Sequence, residues 1–337
     1  MNGRVENDLK IFKSVESQLS DFPDYITDWY FYLKANENTA TSCRDYIRKI
    51  RRFLEFIDED IKDIELKQIT PGIVTRYIEK NKYKEDGTEF SDSYKQGIWS
   101  CLNNFFEFLE GRDMVEKNVM KMAKIKRPKN KDLDRINQNR KLLTEDDFNK
   151  ILEAVRNGAG SNKAKGYQTR FKNRDMAILL LFMTTGMRKT ALMEINVDDI
   201  DLPNHTLYVI DKGHKAHEYY LNDTVVEALE AWLIDRYKFL GNQSGALFVS
   251  KEKKRMHGNS IMQLVDKYAY EGLGYHISPH KLRSGLVSIM YTQTNGNLEF
   301  CRRMIGHSNI TTTQRYIVTN NDERTKTAGI MNNLLKV

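Results

Sequence analysis

Residues 120–141 constrain this chain more than any other stretch. From Lys121 they read KMAKIKRPKNKDLDRINQNRK, with nine basic residues against two acidic ones, one proline and few apolar side chains. Such a segment cannot bury enough apolar surface to form a core of its own. The fold must therefore be built on either side of it. At 337 residues, two domains are the natural division, and each half is long enough to bury a core. The segment fits either an ordinary flexible linker or a basic strap running close to phosphates. A net charge of +7 and a pI of about 9.0 favour a polyanionic partner, although a solvated basic surface has the same composition.

The first half has helical periodicity. Residues 1–20 are polar, with some helical potential in LKIFKSVESQL. A helix is expected over 21–34, with Tyr25, Ile26, Trp29 and Leu33 at helical spacing. A second is expected over 41–57, its apolar face formed by Ile47, Ile50, Leu54 and Ile57. The opposite side carries Arg44, Arg48, Lys49, Arg51 and Arg52, which suits a solvated face or a helix laid on DNA. Thr70-Pro71-Gly72 opens another helix, with proline in the first turn. After a polar loop over 80–89, Ser91-Asp92-Ser93 caps a helix with Ile98, Leu102, Phe105 and Leu109 on one face. Ser93, Tyr94, Lys95 and Asn103 are expected to point outward.

In the second half, Leu143-Thr144-Glu145-Asp146 caps a first helix. A flexible insertion is expected over 158–166 and a buried helix over 173–187. Short strands at 207–210 and 218–221 flank a hairpin turn at Asp211-Lys212-Gly213-His214-Lys215. A helix over 223–239, a strand over 247–249 and a helix over 261–270 complete the frame. Pro279 marks the start of a helix carrying His280 and Arg283, which are three apart and so share a face. A polar break at 292–297 precedes LEFCRRMIGHSNITTTQRY, in which Gly306 stops a helix just before His307 and Tyr316 follows. Arginine and histidines near a tyrosine suit attack on a phosphodiester. Guanidinium grips phosphate oxygens in a fork, imidazole moves protons and the phenol can be the nucleophile.

These motifs resemble the active-site region of the tyrosine recombinases, the phage-integrase family. The resemblance rests on His280-Lys281-Leu282-Arg283, Ile305-Gly306-His307-Ser308, the spacing to Tyr316, and Thr185-Gly186-Met187-Arg188, in family order. It covers roughly 21–335 and is strongest over 184–316. It implies a mainly α fold: a helical, SAM-like core-binding domain at 21–122 and a basic linker at 123–141. A mixed α/β catalytic domain with a small antiparallel sheet follows at 142–321. Residues 1–20 are then an N-terminal extension, and 322–337 a tail that packs in cis or on a neighbouring protomer. The whole is expected to close as a C-shaped clamp on double-stranded DNA, four protomers joining two sites through a Holliday junction.

The implied catalytic set is Arg188, Lys212, His280, Arg283, His307 and the nucleophile Tyr316. Lys212 matches the family's general-acid lysine, with Lys215 as the alternative. Implied DNA contacts are Arg44, Arg48, Lys49, Arg52, Lys95, Lys124, Lys126, Arg127, Lys129 and Lys215. Three positions depart from the pattern. Ala191 stands where the family has an acid, Asp211 replaces a glycine before the lysine, and Ser284 replaces a frequent second histidine. The first puts fine positioning in doubt rather than the reaction class.

No Walker A loop, carboxylate cluster or Cys/His cluster is present, so neither metal nor other cofactor is expected. Cys43, Cys101 and Cys301 are far apart, which fits a reducing compartment. With no membrane-length apolar run and no hydrophobic signal core at the N-terminus, the expected location is the cytoplasm, on the nucleoid. The short segment before residue 21 leaves little room for the arm-site domain of larger phage integrases. Integration or excision of a mobile element is the expected role, by transposition or phage-like integration. The alternatives are Xer-like dimer resolution, type IB topoisomerase-like relaxation, and a catalytically silent DNA-binding accessory protein.

Overall fold

Local capping fixes where most helices begin. The computed structural model describes residues 3–129, 142–158, 165–211, 215–241, 245–306 and 313. It divides into two units, Val5–Ile136 on one side and Met1–Arg4 with Asn137–Val337 on the other.

Val5–Ile136 is helical throughout its described elements. α1 (Gly3–Glu16) runs into this unit and begins well before the helical stretch expected from sequence. α2 (Asp24–Ala35), α3 (Ala40–Ile57), α4 (Pro71–Lys80), α5 (Asp92–Glu110) and the single turn α6 (Val119–Met122) follow. The side chains of Thr39, Thr70 and Ser91 accept from the backbone N–H of Ser42, Ile73 and Tyr94, supplying partners for first-turn donors. The expected apolar faces go inward: Ile47, Ile50 and Leu54 on α3, and Ile98, Leu102, Phe105 and Leu109 on α5, are buried. Trp29 is fully buried, stacked on Tyr46 with ring centroids 5.8 Å apart, and its Nε1 donates to Asn104 Oδ1 at 3.0 Å. That bond lets a large aromatic be buried without stranding its N–H.

The other unit centres on α8 (Lys165–Thr185), whose residues 177–182 are all buried. A helix that is apolar all round is a core helix. α8 packs against α7 (Glu145–Asn157), α10 (Asp223–Leu240) and α12 (Pro279–Gln293), and α7 also packs on α11 (Gly258–Leu273). Thr144 and Asp147 form a capping box at the start of α7. α9 (Lys189–Glu194) leads to an antiparallel sheet in the order β1 (Ile200–Asp201), β2 (Thr206–Asp211), β3 (Lys215–Tyr220). α13 (Leu298–Met304) closes the described part.

Four expectations need adjusting. α8 starts at Lys165, inside the stretch read as an insertion. β3 runs from Lys215 to Tyr220 rather than over 218–221, because Asp211 already pairs with Lys215. The sheet also has the short β1, which two residues could not announce. Residues 247–249 form no ladder strand: Val249 makes an isolated bridge with Arg255, and Ala246 just before them makes one with Asn196. No helix among the described residues is long and apolar enough to cross a membrane.

Candidate active site

The Thr-Gly-Met-Arg box is a change of direction. Thr185 Oγ1 donates to the Leu181 carbonyl at 2.6 Å and accepts from Met187 N at 3.2 Å, so the side chain takes over where α8 ends. Gly186 then adopts a φ of +60°, the left-handed conformation in which glycine avoids the Cβ penalty. The site is also tight: a Cβ there would lie 3.0 Å from Leu286 Cδ2 and 3.3 Å from Ile305 Cγ2. The turn delivers Arg188, half-buried, to the N-cap position of α9.

α12 starts at Pro279, with proline in its first turn as the sequence requires. His280 is exposed, whereas Arg283, three residues on, is only 2% exposed. Arg283 Nη1 donates to the Gly186 carbonyl and Nη2 donates to the Ile305 carbonyl at 2.8 Å. One buried guanidinium thus fastens three motif segments together. Two carbonyls that α-helix and turn geometry leave open receive charge-assisted donors.

α13 is held on α12 by a small apolar cluster of Val287, Cys301 and Ile305. Burial pushes the Cys301 thiol pKa up. The helix ends at Met304 with Ile305 as its C-cap, and Gly306 takes a φ of +67°. A Cβ at Gly306 would lie 3.3 Å from the ring of His217 on β3. Strand β3 therefore reaches Gly306. His217 packs edge-on to Tyr219, with centroids 4.3 Å apart. Sequence reasoning passed over His217; its position one strand residue from a motif hairpin was the available signal, and it is not a distinctive one.

Of the expected catalytic residues, Arg188, His280 and Arg283 are described. Lys212, His307 and Tyr316 lie outside the described residues, as does the Lys215 side chain. Among the described residues no group of three or more His, Cys, Asp or Glu side chains is placed to hold a metal ion.

The expected DNA contacts sit in two kinds of surroundings. Arg44, Arg48 and Arg52 on α3 and Lys124, Lys126, Arg127 and Lys129 after α6 are exposed. Arg48 lies 3.4 Å from Asp45 with its side chain 63% exposed, a surface pair that is easily exchanged for another anion. Lys49 lies over the Tyr46 ring at 5.9 Å. Lys95 differs. Its ammonium sits 2.7 Å from Asp92 and 2.6 Å from Glu89, with the side chain only 15% exposed, and those two carboxylates hold its pKa above the usual lysine value. Its positive charge is thus engaged within its own unit.

Comparison with known proteins bears on residues 141–323, more than half of the chain, which match the model of the phage integrase family. The tyrosine recombinase XerC of Caldanaerobacter subterraneus subsp. tengcongensis is 39% identical over 150 residues, 43% of this chain and 41% of the relative. That match, like the next two, spans less than half of the relative's length. The XerC of Vibrio vulnificus is 28% identical over 300 residues, 86% of this chain and 85% of the relative. Among solved structures, XerH recombinase in a post-cleavage complex with palindromic difH substrate aligns with a TM-score of 0.66. Its sequence identity is 17%, covering 88% of this chain and 82% of that one. A lambda integrase tetramer bound to a Holliday junction aligns at 0.61 with 18% identity, covering 87% and 76%. The fold is the one these recombinases share.

Proposed function

The chain belongs to the phage integrase family of tyrosine recombinases, and from that membership we propose that it cuts and rejoins DNA at a specific site through a 3′-phosphotyrosine intermediate. The observation that carries the proposal is the Arg283 fastener. It joins the Gly186 turn that presents Arg188 to the Ile305-Gly306 stretch that leads into His307.

In this reaction the Tyr316 phenol, ordinarily a weak nucleophile with a pKa near ~10, gives its proton to His280 and attacks phosphorus. The new P–O bond forms as the bond to the 5′-oxygen breaks. Lys212 gives that oxygen a proton, leaving a free 5′-hydroxyl. Arg188 and Arg283 offset charge on the non-bridging oxygens, with a hydrogen bond from His307. The phosphotyrosine retains the phosphodiester energy, so rejoining needs no ATP. Exposed cations on α3 and after α6 supply the phosphate contacts of the core-binding unit. By analogy with the neighbour solved as a tetramer on a Holliday junction, four copies act on two sites. The biological role proposed is integration and excision of a mobile element, on nucleoid DNA.

The test is covalent trapping on nicked duplexes from the DNA flanking the element, mapping the attached nucleotide, with Tyr316→Phe as control. A 3′-linked adduct lost in the control supports the reading. An adduct that survives Tyr316→Phe sinks the nucleophile assignment, and no adduct at any flanking site favours an accessory DNA-binding role.

A second role, dimer resolution of the Xer kind, is favoured by relatives named XerC, one of which aligns over 86% of this chain. Trapping at a chromosomal site, with none at the element's ends, would select it.

A further inference from the structure

The far end of α9 from Arg188 holds a buried ion pair. Glu194, the last residue of α9, is 4% exposed. Arg4 is 7% exposed, and its Nη1 lies 3.3 Å from Glu194 Oε2. The chain's first residues belong to the same unit as Glu194. Their fit is close: a Cβ at Gly3 would overlap the Glu194 carbonyl oxygen and lie 2.9 Å from Arg255 Nη2. Arg255 in turn donates to the Met193 and Ile195 carbonyls at 3.0 and 3.1 Å and to Asn196 Oδ1 at 2.6 Å, closing the end of α9.

Glu194 backs onto strand β2. Ala191, Glu194, Ile195 and Asp199 share a crevice, too small to admit water, with Val209 and Ile210 of β2. Strand β2 ends at Asp211, the residue before Lys212. The acid that the family pattern places at 191 is missing here. Glu194 lies one helical turn further along the same face of α9, so a carboxylate is again present beneath the strand. A carboxylate buried at a helix C-terminus is doubly unfavourable, by desolvation and by the carbonyl dipoles, unless a cation meets it. Arg4 is that cation.

We propose that Arg4 is a positioning residue for the cleavage reaction: paired with Glu194, it holds α9 against β2, the strand that leads into Lys212, so that its loss slows proton delivery to the leaving oxygen. This rests on the reading of Lys212 as general acid. It gives Arg4 a part in the work of the unit that holds Glu194.

The full chain is tested on the nicked duplex mapped above, made once with the ordinary 5′-oxygen and once with sulfur in its place. A thiolate leaves without a proton, so a fault confined to general acid delivery disappears on the sulfur substrate. Arg4→Met is expected to slow cleavage of the oxygen substrate about tenfold or more, with cleavage of the sulfur substrate within about threefold of wild type. Arg4→Lys is expected to restore most of the lost rate. Because Arg4→Met takes a cation away from a buried carboxylate, the double variant Arg4→Met/Glu194→Met removes both charges of the pair together. It should melt near wild type and keep the oxygen-specific defect. Wild-type rates in the folded double variant, or equal losses on both substrates, would overturn the proposal. Lys212→Ala separates the two layers. If sulfur does not rescue it, the general-acid reading itself falls; if it is rescued while Arg4→Met is not, only the Arg4 proposal falls.

Discussion

The Arg283 guanidinium reaches across from α12 to the Ile305 carbonyl at 2.8 Å while it also binds the Gly186 carbonyl. A side chain expected from its motif to meet phosphate is here also a structural fastener. The two parts are compatible, because a guanidinium carries five N–H donors in a fixed fork.

Arg283→Lys keeps the charge but cannot span both carbonyls. It should lower covalent adduct formation by about a hundredfold or more. Arg283→Ala should also cost about 2–4 kcal/mol of stability, because two carbonyls lose their donors in a buried place. Urea unfolding alongside the trapping assay measures both. An alanine variant as stable as wild type would show that the fastener contributes nothing.

Gly186 and Gly274 form a matched pair. Both have positive φ, +60° and +75°, but a Cβ at Gly274 would meet nothing within 4 Å. Gly274→Ala should cost about 1 kcal/mol, from backbone strain alone. Gly186→Ala adds crowding against Leu286 and Ile305 and should cost about 1–3 kcal/mol more. Equal losses in denaturant titration would contradict the packing described.

Lys95→Ala should leave the salt dependence of DNA binding unchanged, because its ammonium is taken up by Asp92 and Glu89. Arg48→Ala or Lys126→Ala should instead reduce the slope of log K against log salt by about 1 each. Fluorescence anisotropy across a salt series separates them. A Lys95→Ala slope change equal to that of Arg48→Ala would return Lys95 to the DNA surface.

Burial pushes the Cys43 thiol up to about 11 and the Cys101 thiol up to about 12. Both should resist maleimide at pH 8 in native protein and react once it unfolds. The linkage has a definite sign. A thiol whose folded pKa is raised contributes stability fully present below its unfolded value, near ~8.5, and lost as pH rises through the folded one. Stability should therefore decline above about pH 9, less so in a Cys43→Ala/Cys101→Ala variant. Fast native labelling of either thiol would contradict its burial.

Much of the molecule was legible because its causes are local. Thr70, Ser91 and Thr144 cap helices wherever they stand ahead of an apolar period, and Pro279 needs only its own ring to open α12. The apolar faces of α3 and α5, the buried α8, and the order of the catalytic motifs are likewise written in spacing. What the spacing left open depends on partners far along the chain. Lys95 looks like any basic residue on a helix until Glu89 folds back on it. Residues 247–249 have a strand's composition but find only the isolated bridge of Val249 with Arg255. Gly306 meets His217, Arg283 meets two carbonyls, and Arg4 meets Glu194 across 190 positions of sequence. Sequence alone determined most of the helices, the two-part plan and the family. The tertiary structure decided which charges are engaged and what holds the site in place, because those depend on through-space pairing and desolvation rather than on period or propensity.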